Sequence, residues 1–332
     1  MDTSSNMPLV LLSGPAAPVT RVTAPAQSTH VLPEAASLLL DIVRFSAAIV
    51  VVAGHITFKE LHTGFADLHI IGEYAVPVFF VLSGFVIRFV TRTRENTLKE
   101  FFIDRASRIY SVTIPAMVLT VTICLICFAI DRHHFVSQWG AVSDHPIARV
   151  FLNLTFLSQS WGHNTIPFID AAFWSLSYEC LYYVAYGFLF FLRGWTRIIA
   201  LIIWAALSGP QVIFLLPIWF LGCWIYDIYH ALRLTPAVRI VRILTCLYLV
   251  VAIALYFFGL GSPLLFPFTL IKHFSQLPNP LELLHIPVRR ATLSAVATGT
   301  FSGIFMILAL LLSDAVIISR KKSLDRYCPA RS

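Results

Sequence analysis

Arg44 and His55 stand eleven residues apart in an otherwise apolar run. On a helix turning about 100° per residue, that spacing puts both side chains on one face, about 16 Å apart along the axis. Asp41, three residues before Arg44, shares the face. A guanidinium at one end of such a line suits phosphate, and an imidazole at the other is the side chain best poised to take a proton near pH 7. The plainer account has Arg44 snorkelling to lipid headgroups and His55 sitting at the opposite interface. A second constellation follows Phe173-Trp174-Ser175-Leu176-Ser177-Tyr178, where Glu179, Tyr182, Tyr183 and Tyr186 fall at i, i+3, i+4 and i+7. Counted from the ends of their helices, Glu179 and His55 are expected at comparable depth, where a carboxylate would make the imidazole a better base. A structural ion pair for Glu179 and an interfacial aromatic belt for the tyrosines are the alternatives. Arg105 and Arg108, at i and i+3, suit phosphate recognition, or else topology and headgroup contacts.

The surroundings make these groups conspicuous. Of 332 residues, 58% are hydrophobic and 12% charged, with 27 phenylalanines. Soluble domains carry roughly 25% charged residues and cannot hide so much apolar surface. Disorder is excluded by the same numbers. The composition predicts an all-α polytopic transmembrane bundle. Apolar runs at 38–58, 74–91, 109–130, 173–192, 198–208, 211–229, 243–258 and 292–318 give about eight membrane helices, with eight to ten counted if the proline-interrupted run 262–271 contributes. Gly209-Pro210 should fold 198–208 and the next run into a tight hairpin. Residues 1–36 read as a disordered cytoplasmic tail, 37–318 as the transmembrane domain, and 319–332 as a basic cytoplasmic tail.

The net charge of +7 lies in short segments between the apolar runs. It therefore points to orientation in a cell membrane, with both termini cytoplasmic, and not to nucleic acid. Lys272, Arg289 and Arg290 fall on the outer side under that assignment. Cys124 and Cys127 form a CxxC within a membrane run and without a second pair, so neither zinc nor redox work is assigned to them. His133, His134, His145 and His163 have no regular ligand spacing, and no metal is expected.

In this order the residues resemble the acyltransferase 3 family of integral-membrane O-acyltransferases. The matching pieces are Leu40-Asp41-Ile42-Val43-Arg44 with His55, then Val78 to Ile87, then Arg105-Ala106-Ser107-Arg108-Ile109-Tyr110 with Pro115, then Phe173 to Glu179. The run Gly209 to Gly222 looks similar as well. The resemblance implies transfer of an acyl group, often acetyl, from cytoplasmic acyl-coenzyme A to a hydroxyl, commonly of a cell-surface or secreted carbohydrate. It puts His55 and Glu179 at catalytic positions, Arg44, Arg105 and Arg108 at the coenzyme A phosphates, and Asp41 in an orienting place. His55 is expected as general base. The family's Ser-Tyr-x-x-Tyr-Leu-x-His-like stretch near the C-terminus has no counterpart in 291–318. A transporter or flippase using the polar line as its pathway is the competing expectation. A catalytically inactive relative is the third.

Overall fold

A computed structural model describes residues 32–56, 69–93, 97–139, 145–233, 235–236, 238–247 and 291–327. The described chain is helical throughout: α1 (Glu34–Ile56), α2 (His69–Thr93), α3 (Leu98–Ile130), α4 (Arg132–Trp139), α5 (Pro146–Leu154), α6 (Trp174–Phe191), α7 (Gly194–Ser208), α8 (Pro210–Leu232) and α9 (Ala291–Tyr327). Residues 238–247 form a further helical stretch between α8 and α9. Five segments are long and apolar enough to cross a membrane, namely Glu34–Ile56, Ala75–Thr93, Leu98–Ile130, Pro210–Leu232 and Ala295–Ser313; α7 is a shorter apolar helix. The protein is thus a polytopic helical membrane protein. Most of the apolar run 243–258 and all of 262–271 lie outside the described residues.

Two boundaries differ from the sequence expectation, each for a local reason. The third membrane helix begins at Leu98, eleven residues before its apolar run. Thr97 and Glu100 cap it reciprocally: the Thr97 hydroxyl accepts from the Glu100 N–H and the Glu100 carboxylate accepts from the Thr97 N–H, both at 3.2 Å. The 33-residue helix is about 50 Å long, against a hydrocarbon core of about 30 Å, so it is longer than a single crossing needs. The segment 131–173, which joins the apolar runs 109–130 and 173–192, contains α4 and α5 and two 3-10 turns, Ser160–Gly162 and Ala171–Phe173. It is pinned down by polar contacts. Asn153 donates to the carbonyls of Arg149 and Thr165 (2.9 Å each), Ser158 pairs with Ser177 of α6 (2.8 Å), and the Trp161 indole donates to Ala206 of α7 (2.8 Å). The Gly209-Pro210 hairpin forms as expected. Gly209 takes φ +82°, and a Cβ there would come within 2.6 Å of the Trp161 nitrogen, so the turn and the packed loop need glycine together.

α2 is the hub, packed against α1, α8 and α9. Glycines set the two tightest approaches. A Cβ on Gly84 would lie 2.0 Å from the Trp219 carbonyl oxygen, and one on Gly222 would lie 2.0 Å from that of Val81. Lipid gives apolar helices no hydrophobic reason to associate, so close backbone packing through small residues supplies the attraction instead. An aromatic core fills the space between α2, α6 and α8: Phe85, Tyr178, Tyr182, Trp219 and Tyr229 are all buried.

These contacts also fix helix direction. Gly54 meets Gly72, so α1 runs opposite to α2. Ser83 and Arg88 meet Glu179 and Tyr186 in the same order, so α6 runs with α2, and Val81 and Arg88 meet Gly222 and Asp227, so α8 does too. One end of the bundle therefore gathers Arg92, Lys99, Arg193, Arg197 and Arg233, with Arg105 and Arg108 about one to two turns further in along α3, whose Phe101 is level with Tyr186 and Gly187. The other gathers His55 and the α4–α5 segment. They are called the basic end and the loop end below.

Candidate active site

His55 stands in the last turn of α1 at the loop end. Its Nδ1 lies 2.8 Å from the Val51 carbonyl oxygen. A carbonyl can only accept, so in the neutral ring Nδ1 carries the proton and Nε2 holds the free lone pair. The Val51 carbonyl has a second lone pair beyond its helical bond, and that lone pair takes the ring N–H.

Across the loop end lies Asp170, which the sequence reading passed over. It caps the 3-10 turn leading into α6, its Oδ1 accepting from the Ala172 N–H at 3.2 Å. Burial pushes its carboxyl above the ordinary carboxylate range. Backbone N–H groups of Ala172 and Phe173 and the charge of His55 pull it back down. The charge of His55 thus acts on the Asp170 carboxyl, which puts an imidazole and a carboxyl at the same end of the bundle. The available signal was an acidic residue at a helix-start position, directly before the Phe173–Glu179 stretch.

Glu179 has other partners. Its Oε1 accepts from the Ser83 hydroxyl at 2.6 Å and from the Tyr183 hydroxyl. Ser83 is eleven residues along α2 from Gly72, and Gly72 faces Gly54 beside His55. At 1.5 Å per residue, Glu179 sits about 16 Å deeper than His55, so the expected equality of depth does not hold. The error came from counting from helix ends: α2 extends well beyond the first turn of α6 toward the loop end.

Arg44 lies at nearly the same depth as Ser83, ten residues in from Glu34. Asp41 is its partner, at 3.6 Å, and both side chains are substantially exposed (40% and 67%). The described residues cover α1 on its α2 and α9 sides. The face with Asp41, Phe45, Ile49, Val52 and His55 is left uncovered by them. Arg105 and Arg108 stand about one to two turns in from the basic end along α3 and differ in setting. Arg105 is 7% exposed, with its guanidinium carbon 5.5 Å from the centre of the Phe101 ring, whereas Arg108 is exposed. The structure therefore sets an imidazole and carboxylate at one end, a carboxylate–hydroxyl network midway, and arginines from mid-span to the other end. Among the described residues, no three His, Cys, Asp or Glu side chains stand together as metal ligands.

Comparison with known proteins fits this layout. A family model described as an acyltransferase domain matches residues 38–313, most of the chain. The O-acetyl transferase of Shigella phage Sf6 is 26% identical over 162 residues, 45% of this chain and 46% of that protein. Acyltransferase MdmB of Streptomyces mycarofaciens is 33% identical over 154 residues, 43% of this chain and 36% of that protein. The matched segments span less than half the length of these curated relatives. No solved structure matches the chain.

Proposed function

The chain belongs to the acyltransferase 3 family and is a multi-pass membrane acyltransferase, and from that premise we propose that it moves an acyl group, acetyl in the first instance, from acyl-coenzyme A to a hydroxyl of a cell-surface or secreted carbohydrate. The observation that carries this reading is the His55 ring, whose Nδ1 is held by the Val51 carbonyl and whose Nε2 is left to accept a proton at the loop end. The name of the phage relative, an O-acetyl transferase, supports oxygen as the acceptor atom. The crowding of Lys and Arg at the basic end supports a cytoplasmic basic end with both chain termini on that side.

In the proposed reaction, His55 Nε2 takes the proton of the acceptor hydroxyl as its oxygen attacks the thioester carbonyl. A new C–O bond forms, the C–S bond breaks on collapse of the tetrahedral intermediate, and the thiolate leaves with the electron pair. The imidazolium then returns the proton, most simply to the departing sulfur. Asp170 stabilises that imidazolium. In this reading Arg108 and Arg105, on the cytoplasmic half of α3, bind the coenzyme A phosphates. Arg44, held by Asp41, stands about 16 Å along α1 from His55, a length the pantetheine arm can cover. Glu179 fixes the Ser83 and Tyr183 hydroxyls beneath the site.

The test is acetyl transfer from labelled acetyl-coenzyme A in membranes, and in purified protein with a carbohydrate panel, read as released coenzyme A. His55→Ala should lose roughly 10²- to 10⁴-fold of the rate at matched expression. Wild-type transfer by His55→Ala removes the base assignment. Carbohydrate movement across vesicles without acyl-coenzyme A would instead identify a transporter.

A further inference from the structure

A second polar site lies away from this line, nearer the basic end, where α2, α6 and α8 meet. The Arg88 guanidinium grips Asp227 with Nε (3.1 Å to each carboxylate oxygen) and NH2 (2.8 Å to Oδ2). NH1 reaches only weakly to the Tyr186 hydroxyl, at 3.5 Å, and the guanidinium carbon is 5.6 Å from the centre of the Phe190 ring. This ion pair lines a cavity of about 390 Å³, whose other walls are Tyr186, Leu189, Phe190, Phe220, Cys223 and Trp224. A small-ligand site typically begins near 300 Å³.

Three features describe the occupant. The mouth is apolar and faces out of the bundle, since Leu189, Phe190 and Trp224 are exposed on the surface that meets lipid. The head of the cavity is five residues from the ends of both α2 and α8, or about 7.5 Å, which is the depth of the boundary between headgroups and acyl chains. The head also carries both signs of charge. The Asp227 side chain is 41% exposed and the Arg88 side chain 16% exposed, so the carboxylate still has room to accept, and NH1 and NH2 each keep a second N–H to donate. Arg88 and Asp227 are the charged groups of the lining, and together they carry no net charge.

We propose that this cavity binds a phospholipid with a primary ammonium headgroup, of the phosphatidylethanolamine kind. Its phosphate takes the remaining N–H groups of Arg88, its ammonium donates to Asp227, and an acyl chain lies along Phe190, Phe220 and Trp224. A choline headgroup cannot donate to Asp227, and a glycerol headgroup brings no cation. This site does not depend on the acyl-transfer reading.

The experiment uses the full chain purified in mild detergent. Phosphatidylethanolamine, phosphatidylcholine and phosphatidylglycerol of identical acyl chains are added in turn, with acetyl-coenzyme A as a fourth arm, and retained lipid and thermal midpoint are measured. Wild type should retain phosphatidylethanolamine up to roughly fivefold better than phosphatidylcholine, the range expected of one partly exposed ion pair. Asp227→Asn should abolish that preference. Leu189→Trp, which obstructs the mouth and leaves the ion pair alone, should abolish it too, and decides the matter where Asp227→Asn folds poorly. Equal retention of all three lipids by wild type, a preference that survives Leu189→Trp, or displacement of the lipid by acetyl-coenzyme A would each overturn the proposal.

Discussion

His55 and Asp170 are 115 residues apart in the chain, yet the charge of His55 acts on the Asp170 carboxyl at the loop end of the bundle. One closes α1, and the other caps the turn that starts α6. The capping role fixes the carboxylate, and the Val51 carbonyl fixes the imidazole. The pair is thus held by two backbone interactions that cost the protein little.

Asp170→Asn separates charge from position. Asparagine caps as well as aspartate, so the turn should survive. Asp170 has a folded pKa raised above the ordinary carboxylate value. Its contribution to stability is therefore fully present below the unfolded pKa and is lost as pH rises through the folded pKa. At neutral pH the variant should unfold no earlier than wild type, measured by thermal unfolding in detergent between pH 4 and pH 8. Transfer should nevertheless fall by roughly tenfold or more, because the imidazolium loses its counter-charge. In wild type the rate should drop as pH falls through the raised Asp170 pKa, and that component of the acid limb should vanish in the variant. A variant with an unaltered rate would leave Asp170 with a capping role alone.

Glu179 allows a similar separation. The Ser83 and Tyr183 hydroxyls both donate to Oε1. Glutamine keeps an acceptor there, so Glu179→Gln should fold normally. Glu179→Ala leaves the Ser83 and Tyr183 hydroxyls only each other, 3.1 Å apart, and strands one of the two donors, at about 1–3 kcal/mol. Thermal midpoints should therefore rank wild type and Gln well above Ala. If the charge of Glu179 takes part in transfer, Glu179→Gln should still lose roughly tenfold of the rate. Equal rates for Gln and wild type would assign Glu179 to the framework.

The α2–α8 crossing is open to a direct packing test. Gly84→Ala and Gly222→Ala each drive a methyl to about 2.0 Å from a carbonyl oxygen of the facing helix. Overpacking costs typically about 1–3 kcal/mol, occasionally more, and here backbone must move. Both variants should lower the yield of monodisperse protein and the thermal midpoint. Gly194→Ala is the contrast: its φ of +57° strains an alanine by about 1–2 kcal/mol, but nothing lies within 4 Å of the new methyl. It should fold with only a modest shift. A Gly84→Ala protein as stable as wild type would mean that the helices are less close than 2 Å implies.

The sequence made the bundle legible because lipid solvation writes itself into long apolar runs, and the Gly209-Pro210 hairpin and the family followed from local residues. His55 at a helix end was legible for the same reason. Asp170 was not, because its electrostatic coupling spans 115 residues of chain and leaves no pattern on one helix. The start of α3 was missed since Thr97 and Glu100 sit in a charged stretch where hydropathy is silent and only capping speaks. The order within 145–173 was missed because Asn153, Ser158 and Trp161 look like loop residues until their partners on α6 and α7 are known. Arg88 and Asp227 are single charges on different helices, and nothing in the sequence pairs them until α2 and α8 run side by side.

Arg105 and Arg108 looked equivalent in the sequence and are not equivalent in space. Arg105 is buried against Phe101, and Phe101 in turn packs on Tyr186 and Phe191. Truncating it removes a cation–π contact of about 0.5–2 kcal/mol together with the packing of its stem. Arg105→Ala should therefore lower the thermal midpoint as well as the rate. Arg108 is exposed, so Arg108→Ala should change stability by no more than about 0.5 kcal/mol. If it holds a coenzyme A phosphate, its loss removes charge-assisted hydrogen bonds of about 1.5–3 kcal/mol, and KM for acetyl-coenzyme A should rise roughly tenfold to hundredfold at nearly constant kcat. Arg108→Lys should recover only part of that, because a point charge replaces a planar fork. Raising salt from 0.05 to 0.5 M in the assay, values chosen to shorten the Debye length to a few ångströms, should raise the wild-type KM more than that of Arg108→Ala. A KM that ignores both the substitution and the salt would take Arg108 out of the donor site and leave it as a charge that orients the helix.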